Sequence, residues 1–504
     1  MFSAVAGGVN RLAAAAPRAV FARHGRWVSV ARAVAAGTGA GVMTTAEDVE
    51  GRPRLALPPR PARPLSTLKL LRIARANSLA AWDQQLFDEL VVERRFVWGR
   101  LFVISDPDGI RRVLQDNVDN YPRLKAIRRI FEFGAGSGML CAEGETRRRH
   151  RRLINPTLDH RAILADLPAL GELAEELARH LARLPPAQEI DIGQTLAHLI
   201  TASSRHVFTT GDRDIEPMLD RMGHFPLEPS ILHFLPVPRW LPYFRRYRAS
   251  RAEAQRFTPM LDRLIAARQR EPYDGRPDLL WRLVHAGERN GDAGLSRAEL
   301  RDEAITLGAT SSTTLRPLTW VWYLLATHPR VEARLQAELA EVLGGRVPTA
   351  DDLPRLVYLR QVLDETMRLY PPLPVMILRR AAAADRLCGR PVPRRSMIAI
   401  MPWVLHRHRK LWQEPDRFDP ARFGAAQVAA RSRYAYLPFS IGPHVCVGAS
   451  LAVMQMVVAV AVLAQRFRFR LVPGQAVEPT AWINLRPRGG IRMTVEPRIA
   501  ALAA

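Results

Sequence analysis

From residue 66 onward the spacing of apolar positions predicts a chain of helices broken by short strands. Residues 96–104 (Phe-Val-Trp-Gly-Arg-Leu-Phe-Val-Ile) read as strands, and Asp106-Pro107 opens a turn before a helix through Leu114. Residues 144–156 make a basic helix, and two further helical patterns fall between Pro217 and Arg270. Ser296 and Glu299 form a capping box at the head of a helical stretch that continues to His328 and stops at Pro329. An uninterrupted helix of about 32 residues would be about 48 Å long, enough to cross a whole domain. A helix bearing Glu365 and Arg368 ends at Pro371-Pro372, residues 390–406 are rich in strand signals, and an apolar helix is expected over Ala449–Arg466. No run of about 20 uncharged apolar residues occurs, so no spanning helix is expected.

The stretch before Ser66 has a different character. Residues 1–46 carry five arginines and no acid, the first acid being Glu47, and are rich in Ala and Gly. This composition fits a flexible basic leader in an Arg-rich cytoplasmic protein of bacterial type, or alternatively a mitochondrial targeting segment. It does not fit a secretory signal, because the apolar stretch from Leu12 to Ala16 is too short. Pro58, Pro59, Pro61 and Pro64 then predict a stiff linker. The expected organisation is a leader and linker over 1–65 and one large domain over 66–504.

Composition narrows the function. With 504 residues and 48% apolar content the chain can build a sizeable core. Three widely separated cysteines, Cys141, Cys388 and Cys446, suggest a reducing compartment rather than a disulfide framework. The net charge of +24 suits an anionic membrane surface or an acidic protein partner. Nucleic acid is the weakest of the candidates, since zinc spacing, a helix-turn-helix signal and RNA-binding aromatic motifs are all missing.

The chemistry concentrates in Phe439-Ser-Ile-Gly442-Pro-His444-Val-Cys446-Val-Gly448, just ahead of the apolar helix. A cysteine at a helix N-terminus is in a place that favours the thiolate. Gly442 permits a turn that other residues resist, and Gly448 leaves room for a flat ligand to press on the backbone. Phe439 would shield the sulfur on one side. A shielded thiolate beneath an open planar space suits a haem iron.

This string resembles the Phe-x-x-Gly-x-x-x-Cys-x-Gly signature of the cytochromes P450, the haem-thiolate monooxygenases. The resemblance implies a mainly α-helical fold with small β-sheets, a single large haem domain, and haem b as cofactor. It makes Cys446 the iron ligand. Arg147 and Arg151, four apart on the basic helix, would hold a haem propionate; Arg147 replaces the family's usual Trp. Arg379 aligns with a further propionate-binding arginine, with Arg380 as the alternative, and His444 falls where an Arg or His meets a propionate. Arg148, Arg149 and Arg152 would face an acidic electron donor. Glu365, Arg368 and Arg422 match a buried structural set. Residues 124–140 correspond to the loop over the haem, with Phe131 and Phe133 as candidate walls; residues 374–377 correspond to a strand lining the cavity, and Trp482 to a late cavity contact. The segment around Trp240 corresponds to a lid, and its aromatics beside arginines suit a peripheral membrane contact.

One departure bears on the mechanism. The family usually has an acid followed by Thr in the middle of its long helix, to steer protons during oxygen activation. Here Thr313 supplies the hydroxyl, but Ser312 stands in place of the acid and Thr310 in place of a glycine. Pro317, just beyond, predicts a kink, and Arg316 beside it is unusual. The reading is therefore a monooxygenase that inserts one oxygen atom from O2 into an apolar organic substrate. Electrons would come from a ferredoxin or flavodoxin type donor with its NAD(P)H reductase. A peroxide-driven enzyme that needs no proton relay, and a non-catalytic haem sensor, remain the alternatives.

Overall fold

The computed structural model describes residues 55–498, apart from 97–98, 129–130, 132–135, 211, 216–217, 219–251, 253–254, 273–276, 289–292, 311–312, 376 and 482. The expected leader, the lid around Trp240, and Phe133, Ser312 and Trp482 lie outside the described residues. The longer helices are α1 (Thr67–Ala76), α2 (Gly144–Ile154), α3 (Leu167–Ala182), α4 (Ile192–Thr209), α5 (Thr258–Arg270), α6 (Leu279–Val284), α7 (Arg297–Thr310), α8 (Leu315–Thr327), α9 (Pro329–Leu343), α10 (Val357–Leu369) and α11 (Ala449–Arg466). Around them run β1 (Val91–Phe96), β2 (Gly99–Ile104), β3 (Glu189–Asp191), β4 (Ile377–Arg380), β5 (Asp385–Leu387), β6 (Arg390–Val392), β7 (Met397–Ile400), β8 (Phe467–Leu471), β9 (Pro479–Ala481), β10 (Leu485–Pro487) and β11 (Arg492–Pro497). The result is the mainly helical architecture with small sheets that the pattern predicts.

The main sheet has the order β1-β2-β7-β4, with β2 and β7 parallel and the outer pairs antiparallel. The strand expected over 374–377 begins only at Ile377, because Pro374 and Val375 lie in a turn. Helix α11 is apolar on nearly every face, so it must be central. Met454 through Ala464 are all buried, which makes it a core helix although it is long and apolar enough to pass for a spanning one.

The long central helix is not continuous: α7 ends at Thr310 and α8 starts at Leu315. In an unbroken helix the Pro317 ring would clash with the Thr313 carbonyl. Ser and Thr side chains also compete with the backbone ladder. With the break, Pro317 falls in the first turn of α8, where no N–H partner is needed. The predicted capping box is present: the Ser296 amide and hydroxyl each donate to Glu299 at 2.8 Å.

Residues 55–61 lie against the domain. Leu55 is buried, the Ala56 amide donates to the Tyr323 hydroxyl, the Tyr370 hydroxyl donates to the Ala56 carbonyl, and Arg60 grips Asp416 with two bonds of 3.0 and 2.7 Å.

Arg368 in α10 is fully buried and pairs with the equally buried Glu365 through two bonds of 2.6 and 2.7 Å. Its remaining N–H groups donate to the carbonyls of His406, Pro415 and Arg417. Glu365 also accepts from the Asp419 amide at 2.9 Å, and Arg422 approaches it to 3.5 Å, completing the set predicted from the sequence. Breaking a buried pair strands a charge at a cost of roughly 3–5 kcal/mol. Glu365→Ala is therefore expected to lose soluble protein, or to lower the thermal midpoint by about 3–5 °C. A melting curve within about 2 °C of the unaltered protein would refute that role.

Candidate active site

The loop before α11 has a demanding backbone, with Ser440 in the left-handed region at φ of 63°. Gly442 has φ of 70°, and a Cβ there would collide with the Leu114 carbonyl oxygen, so glycine is required on both counts. The Cys446 amide donates to the Phe439 carbonyl at 2.9 Å, which folds the loop over so that Phe439 and Cys446 face the same space. Gly448 caps α11, and a Cβ on it would meet nothing within 4 Å. A cavity of about 310 Å³ is lined by Phe439, His444, Cys446 and Gly448 of this loop together with Thr313 and Thr314. Met139, Leu140 and Phe131 of the predicted loop form part of its apolar wall, as does Ile377.

Cys446 is exposed to the cavity that it helps to line. Burial pushes its thiol pKa up, against the Gly448 amide and Arg151, which favour the anion. A nearby metal cation would favour the thiolate.

Three arginines, Arg123, Arg151 and Arg379, line the cavity together with the His444 ring. Arg147 and Arg151 both donate to the Pro443 carbonyl, at 2.6 and 3.0 Å. This clamp fixes the residue before His444, a function their spacing alone does not reveal. Burial and the neighbouring Arg123 lower the Arg379 pKa to about 10. Burial and then Arg123, Arg379, Arg147 and Arg151 push His444 down to about 2, so its ring is neutral. Arg379 faces the cavity while Arg380 does not, as alternation along β4 requires.

Arg123 is the member that sequence reasoning missed. It donates to the Ala142 carbonyl at 3.1 Å, and an isolated backbone bridge joins it to Arg379. Only a long-range pairing places it there, so no local signal could have found it. Among the described residues, Glu143 is the carboxylate whose field acts on Arg123, Arg147 and Arg379 together. Arg147 Nε, Arg379 Nε and His444 Nδ1 are buried without a hydrogen-bond partner. Orphaned donors of this kind call for an acceptor. A porphyrin fits: its two propionates would meet this cluster, its plane the open face over Gly448, and its iron the Cys446 sulfur.

Arg149 corrects the expectation that it belongs to a free docking face. It pairs with Glu299 at 2.8 Å and donates to the Gly294 carbonyl, whereas Arg148 and Arg152 remain largely exposed. Next to it, His150 is fully buried between Glu303 at 2.6 Å and Glu299 at 3.1 Å, and its bond to Glu303 raises its pKa above the ordinary value.

A family model described as Cytochrome P450 matches residues 58–490. The chain is 34% identical over 427 residues to cyclooctat-9-en-7-ol 5-monooxygenase of Streptomyces melanosporofaciens, covering 81% of this chain and 88% of that protein. It is 31% identical over 430 residues to the chloroplastic protein LUTEIN DEFICIENT 5 of Arabidopsis thaliana, covering 79% of this chain and 71% of that one. The crystal structure of the cytochrome P450DA heme domain shares the fold at a TM-score of 0.72 and 20% identity, over 89% of this chain and 99% of that one. With Cys446 opening onto an arginine-lined cavity, the match extends to the site, and the chain belongs to the cytochrome P450 family of oxidoreductases.

Proposed function

We propose that this enzyme inserts one oxygen atom from O2 into an apolar organic substrate, with electrons delivered by a separate ferredoxin or flavodoxin type protein. The carrying observation is the placement of the Cys446 sulfur and the Thr313 side chain on the same mainly apolar cavity. When bound, haem b supplies the redox and oxygen-activating chemistry. Everything else falls to the chain.

Cys446 as thiolate would ligate the iron and donate electron density, helped by the Gly448 amide and Arg151. Arg123, Arg147, Arg151, Arg379 and His444 would hold the propionates and set the plane's orientation. The Thr313 hydroxyl can accept one proton while donating another, so with water it can pass protons inward. Thr314, buried at the same wall, adds a second hydroxyl. Ser312 replaces the acid usual in the family, so this relay carries no carboxylate at that position. Apolar walls keep bulk water from the reacting groups.

The Streptomyces relative is named for acting on cyclooctat-9-en-7-ol, an unsaturated alcohol, and a largely hydrocarbon substrate would suit these walls. Exposed Arg148 and Arg152, on the helix that clamps the cysteine loop, support docking of an acidic donor that salt would weaken.

The dithionite-reduced protein under carbon monoxide is expected to show the strongly red-shifted Soret band of a thiolate-bound haem. A band at the ordinary position would remove Cys446 from the iron and the proposal with it. Thr313→Ala is expected to keep that band but to lower product formed per NAD(P)H by about tenfold or more, diverting the rest to peroxide or water. This is read with any fatty acid, terpenoid or steroid that shifts the spectrum of the unaltered protein. Unchanged coupling would remove Thr313 from proton delivery, and turnover with hydrogen peroxide but not with the reductase system would replace O2 as the oxidant.

A further inference from the structure

His150 is a buried titratable group that the arrangement so far leaves without a task. Its ring is completely sealed from solvent. Nδ1 lies 2.6 Å from Glu303 Oε1 and Nε2 lies 3.1 Å from Glu299 Oε1, so one imidazole faces two carboxylates of α7. Each of those oxygens already accepts another N–H. Glu303 Oε1 takes the Met139 amide at 2.7 Å, and Glu299 Oε1 takes Arg149 at 2.8 Å. Both ring nitrogens therefore act as donors, which an imidazole does only with both protons in place.

The two carboxylates depend on the ring unequally. Glu299 has Arg149 as well, and its second oxygen takes the Ser296 amide and hydroxyl. Glu303 is fully buried, its second oxygen has no hydrogen-bond partner, and among the described residues His150 is the cation paired with it. Yet Glu303 holds the cavity wall through the Met139 amide, while Asp302 beside it takes the Ser137 amide and hydroxyl at 2.7 Å each. The wall is pressed close: Gly136 has φ of 51°, and a Cβ there would lie 2.3 Å from Asp302 Oδ1. Met139 and Leu140 line the cavity. The charges acting on the ring are those of Glu303 and Glu299 on α7. On its own helix Arg149 is bound to Glu299, whereas Arg147 and Arg151 turn to the Pro443 carbonyl. Residues 137–140 bring no charged side chain. One proton on His150 is thus connected, through a single buried oxygen, to the wall of the site.

We propose that His150 is a positioning residue: its doubly protonated ring keeps Glu303 on the Met139 amide and the 137–140 wall against α7, and the wall loosens when the ring loses a proton. Removing that proton leaves a buried carboxylate without its cation, the costly case for a buried pair. Hydrogen bonding to Glu303, and then to Glu299, raises the His150 pKa against the effect of burial. The contact is therefore complete below the ordinary imidazole value of about 6.5 and is lost as pH rises through the higher folded value. His150 does not line the cavity; it acts through Glu303. What the wall does for the chemistry rests on the monooxygenase reading of that cavity.

Two readouts on the haem-loaded full chain test this. Deuterium exchange at the amides of residues 137–140, corrected for the intrinsic effect of pH on exchange, is expected to quicken through one single-proton transition above about pH 6.5. The rise should be about tenfold or more, as loss of one charge-assisted bond from the closed state gives. Carbon monoxide is a neutral probe of the same cavity. Its rebinding after flash photolysis of the reduced protein is expected to quicken with the same midpoint, over the pH range in which the red-shifted band keeps its position. Glu299→Gln removes one carboxylate facing the ring and is expected to lower the midpoint by about one pH unit. A merely structural loosening would instead raise the rates at every pH and leave the midpoint in place. His150→Gln is expected to abolish the transition. A flat profile in either readout, a midpoint unmoved in Glu299→Gln, or a transition that survives in His150→Gln each overturns the proposal. Where His150→Gln does not fold, the Glu299→Gln midpoint decides alone. Exchange needs no iron–thiolate bond, so the two readings fail separately. Loss of the red-shifted band sinks the oxygenase site and leaves exchange to decide on His150, whereas a normal band with flat exchange sinks only the role of His150.

Discussion

The placement of the cysteine depends on a guanidinium that has been taken out of water. Arg368 is buried completely, and a charge so placed must find partners for all its donors. It finds them in Glu365 and in the carbonyls of His406, Pro415 and Arg417, which belong to a segment with little regular structure of its own. The requirement therefore works in reverse: the irregular segment is shaped by what Arg368 needs. From there the constraint passes to the site, because the His406 ring accepts the Leu437 amide at 2.9 Å, two residues before Phe439. Burial drives the His406 pKa far down, and a ring kept neutral retains the acceptor that this bond uses. A helix pair far along the chain thereby sets where the Cys446 loop begins.

The site itself is electrostatically incomplete in a way that specifies its cofactor. Cys446 opens onto the cavity with its thiol held toward the neutral form, while Arg147 Nε, Arg379 Nε and His444 Nδ1 are sealed from solvent without a hydrogen-bond partner. No single ion could satisfy both. A planar group with a metal cation at its centre and carboxylates on one edge satisfies both at once, and the bare plane over Gly448 gives it room. Binding such a group only in the folded state also stabilises that state by mass action. The arrangement therefore couples haem loading to folding through the same residues that orient the haem.

How much of this was legible in the sequence depended on range. The cysteine loop, the capping box at Ser296 and the Glu365–Arg368 pair were readable because each is a local spacing with a fixed geometric consequence. The clamp of Arg147 and Arg151 on the Pro443 carbonyl was not, since it joins residues about 290 apart and involves a backbone atom that leaves no trace in side-chain identity. Arg123 was invisible for the same reason. Arg149 was misread because its partner Glu299 lies far along the chain. The break between α7 and α8 was half-legible: Pro317 announced a kink, but helical periodicity on both sides concealed that one α-helix ends at Thr310 and the next begins only at Leu315.

That break matters because the two halves are anchored independently. The α7 half is tied down by Asp302, which accepts from the Ser137 amide and hydroxyl, and by Glu303, which accepts from the Met139 amide and meets His150. The α8 half is held by Trp320, stacked on Tyr370 of the segment after α10 with centroids 4.0 Å apart. Thr313 and Thr314 lie between them. The carboxylates that fix α7 are the same ones that hold residues 137–139 in place, and Met139 and Leu140 line the cavity. Residues 137–139 and the middle of α7 are thus tied to each other by these carboxylates, whereas the start of the Cys446 loop is held separately, through Arg368 and the His406 ring.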